Sequence, residues 1–455
     1  MMPTDRFEQQ LPELLTELAE PRTPDYFDDL LGLTARTRQR PAWTLLERWI
    51  PMFEIARQPV HAPPIPWRAI GLLVLLSVVL AAGLALIIGA LPRVPEPFGL
   101  ARNGQIAFAR DGDIFISDPA TGAAHPVIVG PDHDLGPIFS HQGTQFLFLR
   151  QGSEPGDRLM VADADGSNVL EVAGSLVATA NISWSPDGST IAFESSIRGV
   201  PTISLAAADG TGARALDLGM PATAPAWRPP DGHQLVVRRT GATGDGLYVV
   251  DATGTNLRPL VLNSEGMLRG AYDFIGSAWS PDGAQLAFHS IHRQGAGASS
   301  FVAARIHIAS ISPEGVVVSE RTLEFDPDAG CECWPRWSPD GRQLLFRHAF
   351  QPQGHRAEIE PMVAPLDGSG GAHPVGPIWR DYFLPEEFDR PNAELVGLNT
   401  YEGTGIGFEW APDGTSILAI NFRDDSTWVL NPAGGDETRA NLGTERTPSW
   451  QRLAQ

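Results

Sequence analysis

Three histidines, one run of aromatics and acids, and a cysteine pair are the residues of this 455-residue chain whose types and spacing could do chemistry. His289, His292 and His348 each fall just after an apolar segment. If those segments are neighbouring strands, the imidazoles could meet as metal ligands or as an acid–base group. Solvated or structural histidines are the alternative. Trp379, Asp381, Tyr382, Glu386, Glu387 and Tyr401 share one long insertion. Rings mixed with carboxylates suit contact with a protein or peptide, and a solvated lid is the other reading. Cys331 and Cys333 flank Glu332. In an oxidising compartment they could close a small disulfide ring or act as a redox pair. A metal site lacks the second Cys or His pair it would need. The chain has no Gly-x-Ser-x-Gly elbow, no His-Glu-x-x-His and no phosphate loop. No catalytic residue and no cofactor are therefore expected.

What positions these residues is a repeated phrase. It reads Phe139-Ser140-His141-Gln142-Gly143, Trp184-Ser185-Pro186-Asp187-Gly188, Trp227-Arg228-Pro229-Pro230-Asp231-Gly232, Trp279-Ser280-Pro281-Asp282-Gly283, Trp337-Ser338-Pro339-Asp340-Gly341 and Trp410-Ala411-Pro412-Asp413-Gly414. In each copy the aromatic ends a strand, and in the five after the first Pro presets φ and Asp-Gly closes a tight hairpin turn. Short apolar runs such as Thr190-Ile191-Ala192-Phe193 follow as second strands. A unit recurring at about 45 residues is the sign of four-stranded blades arranged radially. The Ser and Asp of the phrase are read as turn residues first.

The ends of the repeat are out of phase. Gln105–Phe108 and Asp113–Ile116 begin a unit without its Trp-bearing strand, and Pro448–Leu453 supplies one. The expected fold is all-β: a β-propeller over residues 101–455, seven four-stranded blades, the ring closed by N-terminal and C-terminal strands. The phrase, the Ile-Ala-Phe type strand and the Asp-x-Asp-Gly-Ser-Asn turn at Asp163–Asn168 resemble the repeats of TolB-like, WD-repeat-like propellers. That resemblance implies the fold and leaves activity open. Such repeats occur in periplasmic interaction proteins, in propeller domains of prolyl-oligopeptidase-type peptidases and in some lyases.

Residues 69–91 form an uncharged apolar stretch. As a helix rising 1.5 Å per residue it would span about 34 Å, enough for a bilayer core. It is expected to be a transmembrane helix, followed by a Pro-rich tether at 92–100. Arg36, Arg38, Arg40, Arg48, Arg57 and Arg68 precede it, against Arg93 and Arg102 behind. The positive-inside rule then puts the N-terminus in the cytoplasm, at a cell (inner) membrane, with the propeller outside. Residues 1–68 read as a helical and juxtamembrane tail. Its acidic first half and Arg-rich second half are similar in arrangement to bacterial transmembrane regulators such as anti-sigma factors, without their zinc-binding pattern.

The net charge is −21, and all 33 basic residues are Arg. An acidic propeller repels phosphate backbones, so no nucleic acid is expected as partner. The expected partners are a protein or peptide outside the membrane, the lipid bilayer, and a cytoplasmic regulator at the tail. The leading functional expectation is a membrane-anchored binding module that acts as a sensor or regulator. A channel-site metal-dependent enzyme of lyase or lactonase type and a structural envelope adaptor are the alternatives. In either case the long insertions should gather on one rim of the ring, around the channel mouth.

Overall fold

The computed structural model describes residues 73, 75–77, 98–151, 156–176, 181–239, 246–260, 272–294, 301–323, 331–350, 357–382, 406–421, 426–435, 437–440, 442–444 and 447–455. For 175–176, 272–276, 291–294, 301–304, 331, 350, 357, 380–382 and 406 the description is of the backbone. The chain divides into two compact units, Met1–Ala90 and Leu91–Gln455. In the first, Leu73, Leu75, Leu76 and Ser77 are helical and the three leucines exposed. Among the described residues no helix is long and apolar enough to cross a membrane. The tail and nearly all of the expected 69–91 span lie outside the described residues.

The second unit is a ring of seven blades. Blade 1 combines β1 (Arg102–Arg110), β2 (Asp113–Ser117) and β3 (Ala124–Ile128) with a strand from the far end of the chain. Blade 2 is β4 (His133–Phe139), β5 (Gln145–Gln151), β6 (Asp157–Asp163) and β7 (Leu170–Leu176). Blade 3 is β8 (Ile182–Trp184), β9 (Thr190–Ile197), β10 (Val200–Ala207) and β11 (Arg214–Ala215). Blade 4 is β12 (Ala222–Trp227), β13 (Gln234–Arg239), β14 (Gly246–Asp251) and β15 (Arg258–Pro259). Blade 5 is β16 (Tyr272–Trp279), β17 (Gln285–Gln294), β18 (Phe301–Ile311) and β19 (Val317–Leu323).

Blade 6 is β20 (Cys331–Trp337), β21 (Gln343–Phe350), β22 (Ala357–Pro365) and an interrupted outer strand, β23 (His373–Pro374) with β24 (Trp379–Tyr382). A single parallel pair, Ala304 opposite Cys331, joins its edge to blade 5. Blade 7 is β25 (Ile406–Trp410), β26 (Ile417–Asn421), β27 (Ser426–Leu430) and β28 (Glu437–Ala440). The last strand, β29 (Ser449–Leu453), pairs antiparallel with β1 and supplies the first strand of blade 1. That closure is the one the phase of the repeat requires.

Alternation within each strand decides what faces what. In β5, Leu147 packs toward blade 3, while in β9 Ile191 and Phe193 meet it from the other side. Every blade is thus buried on both faces, which explains near-continuous apolar second strands. First strands of adjacent blades touch one another, as β12 does β8 and β25 does β29, so they form the inner wall.

The phrase aromatics tie the wall together. Trp184 Nε1 donates to Ile138 O at 3.0 Å, Trp227 to Ser183 O at 3.1 Å, Trp337 to Ala278 O at 2.9 Å and Trp410 to Arg336 O at 3.3 Å. Each indole reaches the residue that precedes the aromatic in the previous blade. Where this strut is missing, a side chain bridges to backbone instead. Trp279 Nε1 has no partner, and Arg228 spans blades 4 and 5. Phe139 has no indole, and its N–H donates to Ser449 Oγ at 3.1 Å.

The polar residues of the phrase are spent on the turns. Ser338 Oγ donates to Asp340 Oδ1 at 2.6 Å and accepts from Gln343 N at 2.9 Å, while Asp340 Oδ1 also accepts from Arg342 N at 3.1 Å. The same arrangement recurs at Ser185–Asp187 and Ser280–Asp282. These are Asx and ST turn contacts that close the hairpin.

Candidate binding rim

In an antiparallel blade the connections fall on two rims. First-to-second and third-to-fourth turns share one, here the turn rim; the other two classes share the opposite loop rim. Turn-rim connections are short hairpins, such as the one between Ser338 and Arg342. Residues 261–271, 295–300, 324–330, 351–356 and 383–405 all join second to third strands or one blade to the next, and so belong to the loop rim. These connections lie outside the described residues, and what can be described is the wall from which they spring.

That wall is unusually polar. Apart from Arg228, His307 and the mid-strand His289, the described buried charged and imidazole side chains sit in the loop-rim halves of their strands: Asp134, Asp157, Arg238, Glu332, Arg347 and His348. Buried charge is costly unless paired and hydrogen-bonded. Asp134, 1% exposed, meets this requirement through Arg150, whose Nε and Nη2 each donate to the carboxylate at 2.7 Å. The bond to Asp134 is also the main cause raising the Arg150 pKa.

Glu194 shows the cost on its own ionisation. Burial raises its pKa above the ordinary carboxyl value, opposed by hydrogen bonds from Ala224 N and Asn181 Nδ2, each 2.5 Å long, and by the Arg238 charge. Ala224 sits at φ 51° in a bulge of β12, and Glu194 from the preceding blade takes up its N–H. His289 stands in the same relation to blade 6. Trp334, at φ 61° in the β20 bulge, donates its N–H to His289 Nδ1 at 3.4 Å, and the two rings are 5.3 Å apart.

The expected site residues are dispersed by this packing. His289 and His348 are buried, 2% and 7% exposed, and lie within β17 and β21 rather than after them. His289 points toward blade 6; His348 shares a strand face with Leu344 and Phe346, which pack against blade 5. Both thus belong to the same inter-blade seam, not to an open mouth. His348 stands opposite Glu332 on one side and Glu360 on the other, an acid–imidazole–acid row across blade 6. Burial and then the Glu358 charge raise the Glu360 pKa. His292 pairs with Tyr272 and Ala303 in the backbone.

Trp379 corrects the expectation of a rim contact. It is 7% exposed and packs into the core between blades 6 and 7, with Phe408 at 6.3 Å. Its aromatic mass completes the outer edge of blade 6. Asp381 and Tyr382 continue β24 in the backbone, Tyr382 opposite Ala357. Glu386, Glu387 and Tyr401 lie outside the described residues. Cys333 is 3% exposed and disulfide-bonded, and Cys331 is the only other cysteine of the chain.

One constellation escaped the sequence. Ser290 Oγ lies 2.8 Å from His307 Nε2, and His307 Nδ1 lies 3.3 Å from Glu320 Oε1, with Thr322 Oγ1 at 3.1 Å. The order resembles a nucleophile relay, but Ser290 is 5% exposed and His307 is stacked on Phe288 inside the blade 4 to blade 5 interface. It lies there as a buried polar network. Three strands supply its members, so only strand register could have revealed it. Among the described residues no group of three or more His, Cys, Asp or Glu side chains is placed to hold a metal ion. The described cavities open on the turn rim instead; one of about 820 Å³ is lined by turn backbone, Pro374, Pro432 and His373, without convergent charges.

Residues 144–298 match the TolB beta propeller domain family. No curated protein matches the chain. Among solved structures, TolB from Acinetobacter baumannii is 15% identical, with 76% of this chain and 81% of that chain covered and a TM-score of 0.42. Oligogalacturonate lyase from Vibrio parahaemolyticus is 12% identical, with 74% and 92% covered and a TM-score of 0.50. The tricorn protease is 12% identical, with 80% of this chain and 36% of that chain covered, again at 0.50. At these identities the likeness is one of fold. The chain therefore carries a TolB-like, WD-repeat-like β-propeller.

Proposed function

We propose that the chain is a membrane-anchored, extracytoplasmic binding module that grips a protein or peptide with its loop rim. One observation carries this reading: the long connections all issue from one rim, and the buried charges gather beneath that same rim. Connections on a rigid scaffold are where binding resides, and buried charges held beneath them keep that scaffold fixed. The 69–91 stretch acts as the anchor and the 1–68 tail faces the cytoplasm, where it engages a regulator. On this reading the chain reports an external contact inward. The TolB-like repeat favours such a binding role without naming a partner.

Replacing 383–405 with a short Gly/Ser linker is expected to leave the ring folded and to lower partner recovery from membrane extracts by at least roughly tenfold, as loss of a central contact does. Affinity capture with circular dichroism on the same preparations measures both. Unchanged recovery from a folded variant would count against the loop rim.

A further inference from the structure

Blade 1 draws its first two strands, β29 and β1, from far apart in the sequence, so no hairpin joins them on the turn rim. In place of that turn stand two segments, 98–101 leading into β1 and 454–455 following β29. Hydrogen bonds tie the two together. Arg452 Nη2 donates to Gly99 O at 2.8 Å, Gln455 Nε2 to Leu100 O at 3.1 Å, and Arg102 Nε to Ala454 O at 2.8 Å.

The pair reaches well beyond blade 1. The Phe98 and His141 ring centroids are 4.4 Å apart, which places Phe98 on the phrase of blade 2. The Ala101 N–H donates to Pro412 O at 2.9 Å, in the phrase of blade 7, and Leu100 Cδ2 lies beside Gly414 of the same turn. Phe98, Leu100 and Gln455 also line a cavity of about 600 Å³ together with Pro230 of blade 4, Pro281 of blade 5 and Pro339 of blade 6. In a ring of seven, blades 4 and 5 stand opposite blade 1. A segment that touches blades 2 and 7 and faces blades 4 to 6 across one cavity therefore lies over the axis.

We propose that segments 98–101 and 454–455 form a plug over the turn-rim mouth of the axial channel, making the channel a cup that fills and empties through the loop rim alone. Ala101 is buried in this seat, and Phe98 and Gly99 are half-buried. Any molecule that occupies the channel then passes the loop rim first, whether or not that rim also grips a protein.

Ile138 provides a reporter for the closed end. It lies on β4, an innermost strand, one residue before the phrase aromatic, and is 41% exposed between buried Pro137 and Phe139. Its side chain thus meets the channel close to the turn rim. Since the described residues include no free cysteine, Ile138→Cys adds a single reactive thiol. In the full-length chain N-ethylmaleimide should modify it readily. A maleimide carrying a polyethylene glycol chain should react at least roughly fivefold faster once Phe98→Ser, Leu100→Ser and Gln455→Ala are added, because entry no longer waits on local opening. Val318→Cys, on the exposed outer strand β19, should react equally in both backgrounds.

Hydrogen exchange of the unaltered chain gives a second measure that needs no variant to fold. The Ala101 amide, bonded to Pro412 O, should exchange at least about tenfold more slowly than an open segment. Equal polyethylene glycol rates with and without the three substitutions, in proteins whose circular dichroism is unchanged, would overturn the plug. So would an unprotected Ala101 amide, which alone decides the matter if the substituted protein does not fold.

Discussion

Gly283→Ala is expected to cost on the order of 3–5 kcal/mol, enough to unfold much of a domain whose total stability is about 5–15 kcal/mol. Gly283 sits at φ +67°, and a Cβ placed there would lie 1.9 Å from Pro229 O and 2.8 Å from Pro229 C. Both are backbone atoms of the preceding blade's phrase, which no rotamer change can move aside. The turns nest in this manner around the rim, Gly143 against Arg452 O and Gly232 against Pro186. Gly341 is the internal control. It has a similar φ of +71°, but its nearest contact would be Pro281 Cδ at 3.5 Å. Gly341→Ala should therefore cost only the backbone term, about 1–2 kcal/mol. Denaturant titration of the two variants measures the difference, and equal losses would contradict the nested-turn account.

Arg228→Ala should be comparably damaging, about 3–5 kcal/mol, because it removes the centre of a buried network. Arg228 occupies the position that Ser holds in the neighbouring phrases, and it is 8% exposed. Its Nε donates to Gly283 O at 2.9 Å, Nη2 to Ile311 O at 3.1 Å, and Nη1 to Ser312 O at 2.8 Å and to Gln234 Oε1 at 2.9 Å. The guanidinium also lies 5.0 Å from the Trp279 ring centroid. Burial lowers its pKa, offset by the Asp231 and Glu314 charges. The fork geometry is what bridges the blades, so Arg228→Lys should recover little of the loss. Chemical denaturation provides the comparison; a fully stable Arg228→Lys variant would show that charge alone suffices. Because Arg228 bonds to Gly283 O, the double variant should lose less than the sum of the single losses.

Arg228 also shows how far a sequence can be read. Trp227-Arg228-Pro229-Pro230 is visibly irregular beside Trp279-Ser280-Pro281, so the anomaly is legible. Its meaning is not, since the acceptors at Ile311 and Ser312 belong to the outer turn of the next blade. The ring itself is readable because turn chemistry is local: Pro, Asp and Gly announce five of the six phrase hairpins within five or six residues. The phase shift that joins Pro448–Leu453 to β1 is equally local at each end.

The site was less legible for a physical reason. Polar residues after the apolar core of a strand read as strand ends, so His289 and His348 were expected at a mouth. In the ring, β17 and β21 continue through them, and Trp334 of the adjacent blade donates its N–H to His289. Trp379 misled in the opposite direction. An aromatic in a long insertion suggests contact with a partner, yet here it extends the outer edge of blade 6 and fills the core against Phe408. Glu194 and Glu409 gave no signal at all. Each acts on a backbone N–H of the following blade, and no spacing in one strand encodes that distance.

The most direct test of the account is site-specific photo-crosslinking in intact cells. A photoreactive residue at Glu265 or Asp389, in the long connections, should capture a partner protein, while the same residue at Asp187 or Asp340, in the turn-rim hairpins, should not. Capture from Asp187 and Asp340 with none from Glu265 and Asp389 would contradict the claim that the loop rim is the gripping face.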